Sequence, residues 1–320
     1  MTIRKMLLAA LILVSANVAM AADEVLMKPF VLAFKGAGTV DAKVASTKAS
    51  LVSNGFTVVG SYSPYPNATI LIITNDELKS NAAASEHGGY GAAQRVAITK
   101  TKSDVQVSYT NPVYMANVYR MNGDLKNIYT KLEAALGKVE EYGMEKTMTA
   151  SKARKYHYMF GMEYFDEKSD LGEFDSYEAA VAAVEGGLAA GKEGVTKVYR
   201  IDIPGKKEAV FGVAMAGKPG KTKISKEASI GGTDEAGIVM TGAPEADAYI
   251  MGQIDFKDNK STAHLPYEIL VSGNKVYAQY ARFRIALSFP ELSMMGKNSF
   301  MNIMESPDAI RDALKRTIGK

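Results

Sequence analysis

The order of elements in this chain is written twice. Residues 25–138 and 156–320 each give a strand, a helix, four strands and a helix. The clearest correspondence sets Val105-Gln106-Val107-Ser108-Tyr109 against Val276-Tyr277-Ala278-Gln279-Tyr280. Both segments alternate along a strand, and each leads into an apolar, helical stretch. A repeat constrains the fold more than any single propensity, because an element read in one half is checked in the other. The expected fold class is α+β: two tandem β-α-β-β-β-β-α modules with antiparallel sheets, helices packed on one face of each, fused into a pseudo-dimer.

The chain opens with Met1-Thr2-Ile3-Arg4-Lys5, runs apolar from Met6 to Val14, and reaches Ala19-Met20-Ala21. A basic start, a short apolar core and small residues at alternate positions make a secretory signal peptide, cleaved after Ala21. The expected location is the periplasm. The apolar run is shorter than the roughly 20 residues a membrane-crossing helix needs, and no later stretch reads as a span. Cysteine is absent, which excludes disulfides, thiol nucleophiles and thiolate metal sites. The whole chain carries a formal charge of +3; loss of Arg4 and Lys5 brings the mature chain to about +1, so its charge favours neither nucleic acid nor an anionic membrane.

Domain limits follow from the repeat: a signal peptide over 1–21, a first module over 22–139, a linker over 140–155, and a second module over 156–320. In the first half, strand-like runs cover 25–34, 56–62, 69–74, 95–99 and 105–109. Thr39 caps a helix that stops at Asn54-Gly55, a second short helix covers 76–86, and an amphipathic helix over 125–136 closes the unit. In the second half, the tyrosine-rich stretch 156–165 reads as the opening strand. Ser176 caps the next helix, hairpins cover 195–216 and 267–281, and Ser306-Pro307 starts the last helix. The second half is longer by some 32 residues, an insert placed at 217–266, the least regular part of the sequence.

The helix end and strand Asn54-Gly55-Phe56-Thr57-Val58-Val59, followed later by Val105-Gln106-Val107-Ser108-Tyr109-Thr110-Asn111-Pro112, resemble a bacterial family known as domain of unknown function 302. That resemblance implies a module similar in fold to the repeat unit of the TATA-binding protein. It covers residues 25–138 well and 156–320 more loosely, where Ala281-Arg282-Phe283 replaces Thr110-Asn111-Pro112. The family has no established activity, so the resemblance implies a fold and no mechanism, and a shared fold gives no licence for DNA binding.

Catalytic motifs are thin. No two of the three histidines, His87, His157 and His264, have metal-ligand spacing. His87 and His264 precede the hairpin of their respective halves, which leaves a paired role open beside the ordinary reading as loop histidines. Gly217-Lys218-Pro219-Gly220-Lys221-Thr222 lacks the first glycine of a phosphate loop, because Met215 stands there. No Gly-x-Ser-x-Gly elbow occurs, and nothing assembles a nucleophile, a base and an orienting group. No catalytic residue, metal ligand or cofactor is assigned. Among 17 methionines, Met294, Met295, Met301 and Met304 cluster most densely. Core packing is the expected role, with a soft-metal or redox accessory site using Met and His ligands as the alternative.

The outer face of each sheet is the place for function. Gln106, Ser108 and Thr110 share one face of a strand, and Tyr277, Gln279 and Ala281 share one face of its counterpart. Two such faces either form a groove or bury each other. The expected ligand-binding residues along them are Asn111, Tyr114, Tyr267, Arg282 and His157. The expected function is a binding or accessory protein using the inter-module surface and the insert, for an unknown small molecule or protein partner, as a monomer or homodimer. An enzyme of unrecognised type is the remaining alternative.

Overall fold

The computed structural model describes residues 26–217 and 243–320; the stretch expected to be a signal peptide and most of the glycine- and lysine-rich part of the insert lie outside them. The protein is mixed α and β with antiparallel sheets. Strands β2 (Phe30–Gly36), β3 (Thr57–Tyr62), β4 (Ala68–Thr74), β5 (Gln94–Lys100), β6 (Val105–Thr110) and β7 (Glu140–Tyr142) form one sheet in the order β3-β4-β5-β6-β2-β7. Strands β9 (Lys168–Glu173), β10 (Val195–Asp202), β11 (Glu208–Met215), β12 (Tyr267–Ser272) and β13 (Lys275–Gln279) form a second, ordered β10-β11-β12-β13-β9. The order 3-4-5-6-2 in one sheet matches 10-11-12-13-9 in the other. A two-stranded ribbon joins β1 (Leu26–Met27) to β8 (Met148–Thr149).

Each sheet has a helical face. Helices α1 (Val40–Ser53) and α4 (Lys126–Leu136) lie on the first, burying Thr47 and Leu51, and Ile128 and Leu132. Thr39 caps α1 through the amide of Ala42, and the helix ends at Asn54 before Gly55, whose φ of 80° suits a residue without a Cβ. Helices α6 (Tyr177–Ala189) and α9 (Ser306–Thr317) cover the second sheet. Ser176 caps α6 through Ala179, and Ala180, Val184 and Leu188 form its buried stripe.

The opposite faces of the two sheets bury each other. This explains why β4, Ala68-Thr69-Ile70-Leu71-Ile72-Ile73-Thr74, is an almost unbroken apolar run rather than an alternating one: both its faces are covered. Two corresponding connections are exchanged across the interface. The turn Gly88–Gly91, between α2 (Asp76–Ala84) and β5, lies on β11 and β12. The turn Thr262–His264, between α7 (Asp247–Ile254) and β12, lies on β4, β5 and β6. At Gly89 an added Cβ would stand 2.5 Å from the Leu270 Cδ1 methyl and 3.3 Å from the Val210 Cβ, so a larger residue would have to displace Leu270 for the turn to lie as close to the second sheet. Edge strands β3 and β10 meet likewise at Gly60, where a Cβ would lie 2.5 Å from the Val198 carbonyl. One apolar core runs through both halves.

Several expectations change. Residues 156–165 form turns and not a strand; the second half opens instead on β9, Lys168-Ser169-Asp170-Leu171-Gly172-Glu173. The aromatic residues that imitate a strand pack as rings: Tyr158 on Phe300, and Phe165 on Tyr90, Tyr119 and Phe283. Strand β9 looks polar because it is an edge paired only with β13. Residues 140–155, read as a linker, carry β7, β8 and α5 (Ala150–Arg154). Within the insert, residues 243–266 hold α7 and the Thr262–His264 turn. The helical stretches expected after the two matching strands are present as α3 (Pro112–Val118), after β6, and α8 (Ala281–Ser288), after β13.

Candidate functional site

The polar outer face of the first sheet is buried, and much of it is bonded to residues 258–262. Gln106 donates to the Asp258 carbonyl at 2.8 Å and accepts from the Lys260 amide at 2.9 Å. Tyr142 donates to the Lys260 carbonyl, and the Thr262 hydroxyl is bonded to both Tyr65 and Thr99. These bonds replace water on groups that would otherwise lose it, which is why a buried sheet face can be polar. The 255–262 segment covers this face, and no groove follows Gln106, Ser108 and Thr110, each 1% exposed or less.

Where that clamped segment meets the β2–β7 edge, the two halves leave a cleft of about 520 Å³. Its walls carry Tyr142, Phe256, Phe289 and Leu292 as apolar surface. Six carboxylates line it, Glu140, Glu141, Glu145, Asp255, Asp258 and Glu291, against three lysines, Lys28, Lys35 and Lys257. Most of those carboxylates already have partners. Glu141 accepts from Tyr129 and Asn111, Glu140 from Asn259, and Glu291 from the amides of Glu145 and Lys146.

Asp255 differs from the rest. It is 4% exposed, directly follows the apolar helix α7, and one oxygen, Oδ1, accepts from the Ser261 amide at 3.0 Å. The other, Oδ2, is buried with no hydrogen-bond partner among the described residues. Burial pushes this carboxyl up to about 6, while the nearby Lys260 ammonium and the Ser261 amide pull it back down. The Lys260 ammonium is itself occupied by two carbonyls, those of Asp255 and Lys257. The carboxylate also sits at the negative end of α7, where the helix dipole disfavours it.

A second polar cluster lies deeper, between the sheets. Arg95 forms a buried ion pair with Glu268, and Tyr199 donates to the same carboxylate at 2.9 Å. Arg284 stands 3.8 Å from the other carboxylate oxygen and reaches His264 and Ser288. Because the Arg284 guanidinium donates to His264 Nδ1, the ring proton belongs on Nε2, which then donates to the Tyr267 hydroxyl at 3.2 Å. Burial, then Arg284 and Arg95, hold His264 well below the ordinary imidazole range, so it is neutral. No cavity among those described opens onto this cluster, which reads as structure.

The residues expected to bind ligand are scattered. Asn111 is buried, caps α3 through the amides of Val113 and Tyr114, and holds Glu141 at the cleft, one bond away from it. Tyr114 is buried and donates to the Leu287 carbonyl, and Tyr267 is buried beside His264. His157 and Arg282 come together elsewhere. His157 lines a shallow hollow with Glu163, Tyr164 and Tyr280, and Arg282 pairs with Glu163. His87 packs edge-to-face on Tyr277, far in sequence and environment from His264. The methionines expected in the core are outside it: Met294 is 37% exposed, Met295 71%, Met301 55% and Met304 70%. Sequence reading missed Asp255, and the available signal was a lone carboxylate ending the apolar run Ala248-Tyr249-Ile250-Met251-Gly252-Gln253-Ile254.

Among the described residues no helix is long and apolar enough to cross a membrane, and no group of three or more His, Cys, Asp or Glu side chains is placed to hold a metal ion. Compared with known proteins, the chain matches no family model, no curated protein and no solved structure.

Proposed function

We propose that this chain is an exported, periplasmic binding or accessory protein that holds a small organic cation in the cleft between its two halves. The observation that carries the reading is the Asp255 carboxylate, buried at the cleft with one oxygen unpartnered. A free buried carboxylate is costly to keep, and an ammonium group supplies both the missing hydrogen bond and the missing charge. The surplus of carboxylates attracts a cation to the mouth, and the faces of Tyr142, Phe256 and Phe289 suit its apolar body. The volume falls within the range of about 300–1,000 Å³ usual for small-molecule sites. The signal-peptide pattern of residues 1–21 supports export. The matching strand orders and exchanged turns support a duplicated unit of the kind that the resemblance to domain of unknown function 302 implies.

The test is thermal shift and calorimetry with a panel of aliphatic and aromatic amines, each matched to its neutral alcohol and to a carboxylic acid. Amines should raise the melting temperature where the alcohols and acids do not, and Asp255→Asn should weaken amine binding about tenfold or more. Affinity should also rise between about pH 5 and 7 as the Asp255 carboxyl ionises. Equal responses to amines and alcohols, or an Asp255→Asn variant that binds as before, would defeat the proposal.

A further inference from the structure

The segment 292–304 sorts its apolar side chains by chemistry. Leu292, Phe300 and Ile303 are buried at 5%, 6% and 1%, while all four methionines point outward. Among the described residues ten large apolar side chains are exposed, and four of them are these methionines from one loop. If the patch served apolar contact alone, branched or aromatic residues would suit it equally; here only thioethers face water.

The backbone of the loop sets Met294 beside Met301 and holds the segment that carries all four. The Met301 amide donates to the Met294 carbonyl at 3.2 Å, and the preceding amide, Phe300, donates to Ser293 at 2.9 Å. Met301 and Met304 are three residues apart across the 3-10 turn Phe300–Ile303, a spacing that stacks side chains on one side. Ser293 fixes the Met295 carbonyl through its hydroxyl, and Ser299 and Asn302 close a reciprocal cap at the start of the turn. Tyr249 donates to the Asn302 carbonyl and ties the turn to α7. The sulfurs are flexible arms on a fixed frame.

We propose that Met294, Met295, Met301 and Met304 form a surface site for one soft monovalent cation, Cu(I), which Ag(I) would also occupy. Thioethers are neutral soft ligands; they select Cu(I) over the harder divalent ions that prefer imidazole and carboxylate. Binding satisfies four side chains whose exposure to water is otherwise unfavourable, and needs no change in the fold. The site is independent of the amine cleft, so either reading can fail alone.

The test uses the full-length chain with 13C-labelled methionine methyls, titrated with Ag(I) in chloride-free buffer and followed by calorimetry and two-dimensional spectra. One equivalent should bind, and the methyl signals of these four residues, out of 17 in the chain, should shift together. Met301→Leu with Met304→Leu should weaken Ag(I) binding at least 100-fold while leaving the melting temperature unchanged, because both positions are exposed. Zn(II) should shift none of the four signals. The leucine variant keeps an apolar surface, so a patch meant only for docking would predict no Ag(I) effect at all. Absence of Ag(I) binding, shifts spread over other methionines, or unchanged affinity in the double variant would overturn the assignment.

Discussion

Glu268 stands at the centre of the polar cluster between the sheets. It is 4% exposed and serves two guanidiniums, those of Arg95 and Arg284, each 1% exposed. Removing the Glu268 charge would strand two buried cations with no counter-ion among the described residues. Uncompensated buried charge is the expensive case, at about 3–5 kcal/mol. Glu268→Gln should therefore lower the unfolding free energy by roughly that amount, read as a shift of the urea midpoint at unchanged slope. The contrast is the exposed pair Lys207–Glu178, 3.7 Å apart and about 70% exposed on both sides. Replacing Glu178 by Gln should leave the urea midpoint where it was, because solvent already screens that pair. If the two substitutions cost the same, the interior cluster is wetter than its burial implies.

At the scale of elements, α7 is the unusual one, because it begins and ends on a buried carboxylate. Asp247 accepts from the Met215 amide at 3.0 Å and from the Tyr62 hydroxyl, yet burial still pushes it up to about 7. An acid whose folded-state value is raised binds its proton more tightly when folded than when unfolded. Its charge therefore costs nothing near pH 4, costs progressively more as pH rises toward 7, and the full amount above. Asp247→Asn keeps an oxygen for both donors and removes the charge. It should match the parent in stability at pH 4 and exceed it by about 2–4 kcal/mol at pH 8, measured by denaturation at the two pH values. A gain that does not depend on pH would show that the charge is not the cause. This helix also marks the limit of what the sequence reveals. Caps at Thr39 and Ser176, the stop at Asn54-Gly55 and the hairpins were legible because they rest on local chemistry. The strand β9 was not, since its polarity reflects an edge position that only the finished sheet defines. Asp255 was not either: its meaning comes from Ser261, Lys260 and the distant Tyr142, none of which the sequence places beside it.

For the whole molecule, the question is whether the two sheets with the same strand order are separate folding units. Their packing says otherwise. Ile72 lies beside Arg95 on the inner face of the first sheet, and Leu270 lies beside Val210 on the inner face of the second. Each face is covered partly by the other half's exchanged turn, Gly88–Gly91 in one direction and Thr262–His264 in the other. A chain cut between Lys155 and Tyr156 would expose both faces, leave Arg95 and Glu268 in different pieces, and remove the 255–262 backbone that satisfies Gln106. Burial of apolar surface contributes about 25 cal/mol per Å², and natural stabilities are only about 5–15 kcal/mol, so neither piece can lose such a face and stay folded. Residues 26–155 and 156–320, made separately, should each show poorly dispersed amide spectra and no cooperative urea transition. Mixed at equal concentration during refolding, they should give a 1:1 complex by gel filtration with a single cooperative transition. A sharp transition from either piece alone would mean that the interface joins two finished domains. In that case the cleft at Asp255 would be a hinge between them, and ligand would be expected to change the angle between the halves and not merely their stability.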